Sequence, residues 1–196
     1  TNLHELYYGN GRSLPREQTE RLKRRVNDCL AAFASSEILD EILAASYMSW
    51  KPIDALDSFT VDGGLKVWCA IDFAFLDPGG SLRILDWKTG AEKAETLKTQ
   101  LACYTLFAQN KWGVAPDRQR AAGVFLGDGA RVSEYNLPVE VLFEAKDKIL
   151  TSAAAMRSKL SNVEENVAEI ENFPTCDDDR VCQRCNFREV CPRIQT

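Results

Sequence analysis

The stretch RILDWKTG, residues 83–90, decides the fold because it joins an apolar strand to two charged residues and then breaks sharply. Side chains alternate between the two faces of a strand, so Asp86 and Lys88 share one face while Leu85 and Trp87 share the other. Burying a carboxylate and an ammonium group is costly unless they are paired or hold a metal. We therefore expect a strand whose end carries a chemical function.

The residues before this stretch predict a β-hairpin. The apolar run KVWCAIDFAF, residues 66–75, is predicted to be one continuous strand with Asp72 in its middle. DPGGS, residues 77–81, supplies a tight turn before the strand at 82–88. Because neighbouring strands lie about 5 Å apart, Asp72 and Asp86 are expected to converge.

Helical and strand patterns alternate along the rest of the chain. Helices are predicted over residues 16–33, 37–46, 92–112 and 138–160, and strand-rich segments over residues 47–53, 58–61 and 120–137. This order predicts an α/β (α+β) fold, with a central mixed β-sheet flanked by helices. We expect one domain over residues 1–172, with a cysteine-rich segment, residues 173–196, packed on it.

Composition excludes some classes of protein. A net charge of −5 argues against a protein that coats nucleic acid through bulk charge, although local basic tracks remain compatible with it. No apolar run approaches the roughly 18 residues of a membrane span, and no signal peptide is evident. We expect a cytoplasmic protein without a membrane partner, in which Cys29, Cys69 and Cys103 are small core residues rather than halves of disulfides.

Two converging carboxylates repel each other unless a cation lies between them. Mg²⁺ or Mn²⁺ prefers oxygen ligands from carboxylates, a backbone carbonyl and water, and it leaves positions for a phosphate oxygen. Lys88 could then orient or deprotonate a water molecule, or neutralise charge in the transition state. The alternative is a structural ion pair between Asp86 and Lys88. Asp72, fourteen residues before Asp86, favours the metal site.

Asp72 followed by DWK at residues 86–88 resembles the motif of the PD-(D/E)XK nuclease superfamily. In the helix that follows, Gln100 and Tyr104 resemble the Q-x-x-x-Y motif of the RecB-like branch, and NLHEL at residues 2–6 resembles its histidine motif. The resemblance implies a restriction-endonuclease-like core. It also implies substrate contacts from Gln100 and Tyr104, and a metal site completed by His4 and the Trp87 carbonyl.

Four cysteines with the spacing C-x5-C-x2-C-x5-C near the end of the chain predict a bound metal. Base rates alone favour zinc. AddB-type and CRISPR-adaptation nucleases end in C-x2-C-x5-C, and the resemblance of Cys182, Cys185 and Cys191 to that ending implies a [4Fe–4S] cluster that acts as a clasp. The fourth ligand is either a cysteine upstream of Thr1 or Cys176. Cys176 is favoured because it lies close to the other three cysteines in the sequence.

The resemblance implies an Mg- or Mn-dependent deoxyribonuclease, catalysed by Asp72, Asp86 and Lys88 and acting on DNA ends or single strands. The implied setting is DNA repair, recombination or CRISPR-type processing, with a helicase or integrase-type partner. The alternative is a catalytically inactive DNA-binding scaffold of the same fold. Arg21, Arg24 and Arg25 form a basic helix face that either tracks phosphates or is simply solvated.

Overall fold

The structure is a computed structural model that describes residues 15–182, 185, 187 and 191 of the 196-residue chain. The helices are α1 (Arg16–Ala34), α2 (Glu37–Ala44), α3 (Ala94–Trp112), α4 (Val139–Arg157) and the short α5 (Asp179–Cys182). The strands are β1 (Asp57–Val61), β2 (Leu65–Cys69), β3 (Phe73–Leu76), β4 (Leu82–Lys88), β5 (Gln119–Phe125) and β6 (Arg131–Tyr135). The expected mixed α/β fold is confirmed.

The central sheet is mixed and has the strand order β3-β4-β5-β6. The pairs β3–β4 and β5–β6 are antiparallel hairpins, whereas β4 and β5 are parallel. A parallel pair needs a long crossover connection, which α3 provides. The predicted turn of the first hairpin is present, since Gly80 donates its N–H to the Asp77 carbonyl at 2.8 Å with φ at +77°.

The prediction of one continuous strand over residues 66–75 is wrong. β2 ends at Cys69 and pairs with β1 in a separate two-stranded sheet, while β3 begins at Phe73 in the central sheet. Asp72 therefore lies immediately before a strand and not in its middle. Residues 47–53 were also expected to be strand-rich, but they contain a 3₁₀ helix at Tyr47–Ser49 and one isolated bridge, Trp50 to Phe75.

The two faces of the central sheet are covered by different helices, and each face has its own core. On one face, Leu82 and Ile84 of β4 pack with α3, whose other side packs against β1 and β2. On the opposite face, Leu85 packs with Ile38 and Ile42 of α2. This alternation along β4 places Asp86 and Lys88 on the α3 face, as the strand pattern predicts.

One charged side chain is buried within the second face. Arg83 of β4 is only 2% exposed, and its guanidinium contacts Glu41 of α2 at 2.7 Å and Glu134 of β6 at 2.7 Å. Both carboxylates are partly exposed, at 34% and 47%. The ion pairs thus connect a helix, a central strand and an edge strand through one side chain.

The described chain divides into two compact units, one spanning Arg25–Thr151 and the other formed by the remaining N- and C-terminal residues. The first unit contains the central sheet. The second contains an isolated bridge between Asn162 and Val167 and the short helix α5.

Among the residues that the structure describes, no helix combines the length and apolarity that a membrane crossing requires.

Helix α1 buries less of its apolar stripe than its sequence predicts. Cys29 is 5% exposed, but Leu22, Val26 and Leu30 are 47%, 56% and 61% exposed. Phe33 contacts Trp87 edge to face, with ring centroids 5.4 Å apart. Phe33 therefore packs this part of α1 against the sheet, at Trp87.

Candidate active site

The candidate site begins where β3 and β4 meet at one end of their hairpin. The register pairs Phe73 with Leu85, so Asp72 and Asp86 lie one residue beyond that pair on opposite strands. The backbone N–H of Trp87 donates to Asp72 Oδ2 at 2.8 Å. The Asp72 side chain thereby extends the hydrogen bonding of the hairpin past its last strand pair and fixes one carboxylate beside the other.

Helix α3 brings an amide and a phenol to the same point. Gln100 Nε2 donates to Asp86 Oδ1 at 2.8 Å and to the Tyr104 hydroxyl at 2.8 Å. Gln100 Oε1 accepts a bond from Lys88 Nζ at 3.1 Å, and the Lys88 ammonium also forms an ion pair with Asp86 Oδ2. The structure therefore joins Asp86, Lys88, Gln100 and Tyr104 in one hydrogen-bonded cluster, with Asp72 held beside it by the Trp87 N–H.

The environment of Asp86 disfavours its charged form. Asp86 is 1% exposed, and burial is the main cause that raises the pKa of its carboxyl group. Lys88 opposes this shift through a hydrogen bond and its charge, while the charge of Asp72 adds to it. Burial likewise raises the pKa of the Tyr104 phenol, which keeps its proton. A nearby cation would stabilise the Asp86 carboxylate.

A glycine lets α3 approach this part of the sheet. Gly123 of β5 is the register partner of Asp86, and a Cβ atom at this position would lie 2.5 Å from Leu97 Cδ2. Leu97 lies one helical turn before Gln100 on α3. The missing side chain at Gly123 therefore sets the close helix–sheet spacing from which Gln100 reaches Asp86.

The backbone just after β4 is contacted by two other elements. The guanidinium of Arg25 on α1 donates to the carbonyl oxygen of Thr89. Gly127, in the turn between β5 and β6, lies so close that a Cβ atom there would be 2.8 Å from the same oxygen. Both contacts hold the segment that follows Lys88.

A second polar cluster ties the loop after β4 to the edge strand β6. Glu92 accepts hydrogen bonds from Ser133 Oγ at 3.0 Å, from Arg131 Nη2 at 3.0 Å and from the Tyr135 hydroxyl. These bonds, with Tyr135 the largest cause, lower the pKa of Glu92. Burial and the Glu92 contact raise the pKa of Tyr135 to about 12. The sequence carried no motif that indicated this cluster or the Arg25 contact.

The other predicted ligands are His4 and the four C-terminal cysteines. His4 lies outside the part of the chain that the structure describes. Cys176 is exposed, whereas Cys182, Cys185 and Cys191 are partly buried. Within residues 15–182, 185, 187 and 191, no group of three or more His, Cys, Asp or Glu side chains lies close enough to hold a metal.

Of the three early cysteines predicted to be core residues, Cys29 and Cys69 are buried and Cys103 is partly buried against the core. Cys69 is 6% exposed, and burial raises the pKa of its thiol to about 12. Burial also raises the pKa of Cys103, the neighbouring thiol on α3. Both groups stay protonated near neutral pH, which removes them from the set of metal-binding or nucleophilic candidates.

The candidate site is thus a hairpin end that carries two carboxylates and a lysine and packs against a crossover helix. The family model of the PD-(D/E)XK nuclease superfamily matches residues 4–192, so the chain belongs to that superfamily. Its members are mostly nucleases that hydrolyse phosphodiester bonds with Mg²⁺ or Mn²⁺, although some are inactive. No curated protein matches the chain at a significant level.

One solved structure that resembles the chain is the crystal structure of SSO0001. It is 19% identical in sequence, and the match covers 91% of this chain and 82% of that one with a TM-score of 0.37.

Proposed function

We propose that this protein is a metal-dependent DNA nuclease that acts on DNA ends or single strands. The observation that carries the proposal is the hydrogen-bonded cluster of Asp86, Lys88, Gln100 and Tyr104, beside which the Trp87 N–H holds the Asp72 carboxylate. Each of these residues belongs to the superfamily motif or to the Q-x-x-x-Y motif that the sequence resembles. The same resemblance supports membership of the RecB-like branch and a role in DNA repair, recombination or CRISPR-type processing.

The donor set of the cluster fits a hard divalent cation. Asp86 Oδ2 is buried, and the Lys88 ammonium is its ion-pair partner. Carboxylate oxygens are the ligands that Mg²⁺ and Mn²⁺ prefer. Asp72, Asp86 and the Trp87 carbonyl would hold the ion, and His4 is the proposed fourth protein ligand. A bound ion supplies Lewis acidity toward a phosphate oxygen and the attacking water.

The side chains of the chain itself have distinct roles in this proposal. Lys88 presents a positive charge where the phosphate gains negative charge in the transition state, and it orients the attacking water. Gln100 holds Asp86 and Lys88 in a fixed relative position through two hydrogen bonds of its side-chain amide. Tyr104 supports Gln100 and borders the path of the strand. Preorganisation of this kind lowers the barrier because little rearrangement is needed during the reaction.

We further propose that Cys176, Cys182, Cys185 and Cys191 bind a [4Fe–4S] cluster that clasps the C-terminal segment. Backbone N–H groups donate to two of these sulfurs, from Asp178 to Cys176 Sγ at 3.4 Å and from Phe187 to Cys185 Sγ at 3.4 Å. Hydrogen bonds to cysteine sulfurs are also a feature of iron–sulfur sites. Iron and acid-labile sulfide in anaerobically purified protein would support the cluster, whereas stoichiometric zinc would overturn it.

The decisive test is cleavage of end-labelled single- and double-stranded DNA with Mg²⁺ or Mn²⁺. Wild-type protein is expected to cut, and the product ladder reports the polarity. Lys88→Ala should remove cleavage, because it deletes the charge beside Asp86. Lys98→Ala is the matched control on α3, since it removes a lysine for which the structure gives no contact to the cluster, and it should cleave at the wild-type rate.

Absence of cleavage by folded, cluster-loaded wild-type protein would contradict the nuclease proposal. DNA binding that persists in that case would favour the alternative, an inactive nuclease-fold scaffold. A helicase or integrase-type partner is part of the proposal that the cleavage assay does not address. Co-purification with such a protein is its separate test.

A further inference from the structure

The Arg25 side chain lies beside the end of β4, the strand that carries Asp86 and Lys88. Cys29 and Phe33 follow Arg25 at four-residue steps, so the three side chains share one face of α1. Cys29 is buried and Phe33 packs against Trp87, which seats this face on the side of the sheet opposite α3. From there the Arg25 guanidinium reaches the Thr89 carbonyl.

This contact places a cation close to Lys88 on the other flank of the site. Thr89 directly follows Lys88, and consecutive Cα atoms are about 3.8 Å apart. Gln100 approaches the end of β4 from the α3 face, whereas Arg25 approaches it from the α1 face. A nucleic-acid strand crossing the end of β4 over Lys88 would therefore pass beside Arg25.

The charge of Arg25 is available to an anion, whereas that of Arg131, at the end of β6 nearest to Lys88, is not. Arg131 is ion-paired with Glu92 at 3.0 Å and with Asp128 at 2.8 Å. Arg25 is exposed and forms no ion pair with a carboxylate among the described residues. A guanidinium has five N–H donors in a fixed fork, so the bond to Thr89 leaves donors for a phosphate.

We propose that Arg25 binds a backbone phosphate of the DNA strand, adjacent to the phosphate that is cleaved. The inference rests on the proposed function and adds a substrate-binding residue to it. The Thr89 carbonyl orients the guanidinium, so less side-chain freedom is lost when the phosphate binds. The bond would also make strand binding sensitive to the position of the segment that follows Lys88.

The test measures DNA binding in the Asp86→Asn background, which keeps the strand intact. Fluorescence anisotropy with a labelled single-stranded oligonucleotide gives the dissociation constant at several salt concentrations. Arg25→Ala is expected to weaken binding about tenfold at low salt and to reduce the slope of log K against log salt by about 0.7 to 1. Arg25→Lys keeps the charge and should retain the slope.

Arg118→Ala is the matched control. Arg118 is also an exposed arginine that donates to a backbone carbonyl, that of Gly80 at 2.8 Å, but it lies at the opposite end of β4. It should leave both the affinity and the slope unchanged. A salt-dependence slope for Arg25→Ala equal to that of the Asp86→Asn parent would overturn the inference. A purely structural contact with Thr89 would not change the number of counterions released on DNA binding.

The outcomes separate the two proposals. A wild-type protein that neither cleaves nor binds DNA would overturn the proposed function and the inference together. A wild-type protein that does both, with the slope unchanged by Arg25→Ala in the Asp86→Asn background, would overturn only the inference. Should Arg25→Ala fail to fold, Arg25→Lys and Arg25→Gln give the same comparison, since one keeps the charge and the other removes it.

Discussion

Gln100 occupies the centre of the candidate site although it is neither a carboxylate nor a lysine. Its amide group contacts Asp86, Lys88 and Tyr104 at distances between 2.8 and 3.1 Å. An amide offers a donor and an acceptor at once, so it bonds to a carboxylate and an ammonium group simultaneously. A charged residue at this position could satisfy only one of the two.

We expect Gln100→Ala to lower the cleavage rate by roughly 10- to 100-fold, as for other groups that orient metal ligands. The loss should be accompanied by a higher Mn²⁺ requirement, because Asp86 loses the donor that fixes its orientation. Gln109→Ala, an exposed glutamine of the same helix, is the control. Equal rates and equal Mn²⁺ dependence for the two variants would contradict an orienting role for Gln100.

Protonation of Glu92 at acid pH should lower the stability of the protein. Its folded-state pKa is lowered, so its contribution to stability is complete above the unfolded value near 4.5 and is lost as the pH falls through the folded value. In urea unfolding, the difference in stability between wild type and Glu92→Gln should therefore be largest near pH 7 and shrink below pH 4.5. A difference that grows on acidification would contradict this assignment.

At the level of single residues, the sequence indicated which side chains meet at the candidate site, but not all of the contacts around them. Asp86 and Lys88 could be placed on one face because strand alternation is strictly local. The Glu92 cluster depends on β6 lying beside β5, a pairing between residues distant in the chain. The bond from Arg25 to Thr89 depends on how α1 crosses the sheet, which no short motif specifies.

The end of β4 is held by backbone contacts that leave no room for an added side chain. Gly127 lies where a Cβ atom would be 2.8 Å from the Thr89 carbonyl oxygen, and backbone yields less readily than the tip of a side chain. Any substitution at this turn must move one of the two segments. The turn between β5 and β6 thus sets the position of the chain that follows Lys88.

We expect Gly127→Ala to destabilise the protein by about 1–3 kcal/mol, the usual cost of overpacking. It should also reduce cleavage, since the displacement begins next to Lys88. Gly90→Ala is the control: a Cβ atom there meets nothing within 4 Å, and the backbone is not left-handed. Thermal unfolding and cleavage rates measure both effects, and similar melting temperatures for the two variants would refute the packing argument.

Among the elements, the hairpins and long helices were predictable, while the division into two sheets was not. The turns at residues 77–81 and 126–130 carry glycines with positive φ, which the local sequence reveals. The apolar run at 66–75 gives no sign that β2 and β3 belong to different sheets. β3 is largely buried whereas Lys66 and Trp68 of β2 are exposed, but the run contains no glycine or proline that would separate the two strands.

For the molecule as a whole, the buried guanidinium of Arg83 links α2, β4 and β6. Removing both carboxylates with Glu41→Gln and Glu134→Gln would leave a charge that is 2% exposed without an anionic partner. We expect a loss of about 3–5 kcal/mol in the free energy of unfolding. Asp57→Asn, which breaks the exposed pair with Lys111, should have a much smaller effect.

Urea unfolding at neutral pH measures both variants. A small loss for the Glu41 and Glu134 double variant, comparable to that of Asp57→Asn, would mean that water or another group solvates Arg83 when its partners are removed. Activity of the double variant should follow its folded fraction, since Arg83 lies on the face of the sheet opposite the candidate site.

The crossover by α3 has a consequence for how the chain folds. The β3–β4 hairpin joins segments close in sequence and can bring Asp72 and Asp86 together early, whereas the parallel β4–β5 pair must close a long loop and forms more slowly. Gln100 and Tyr104 lie within that loop. A nascent chain would therefore carry its acidic pair before Gln100 and Tyr104 join it, and the candidate site would be complete only after the non-local pairing of β4 with β5.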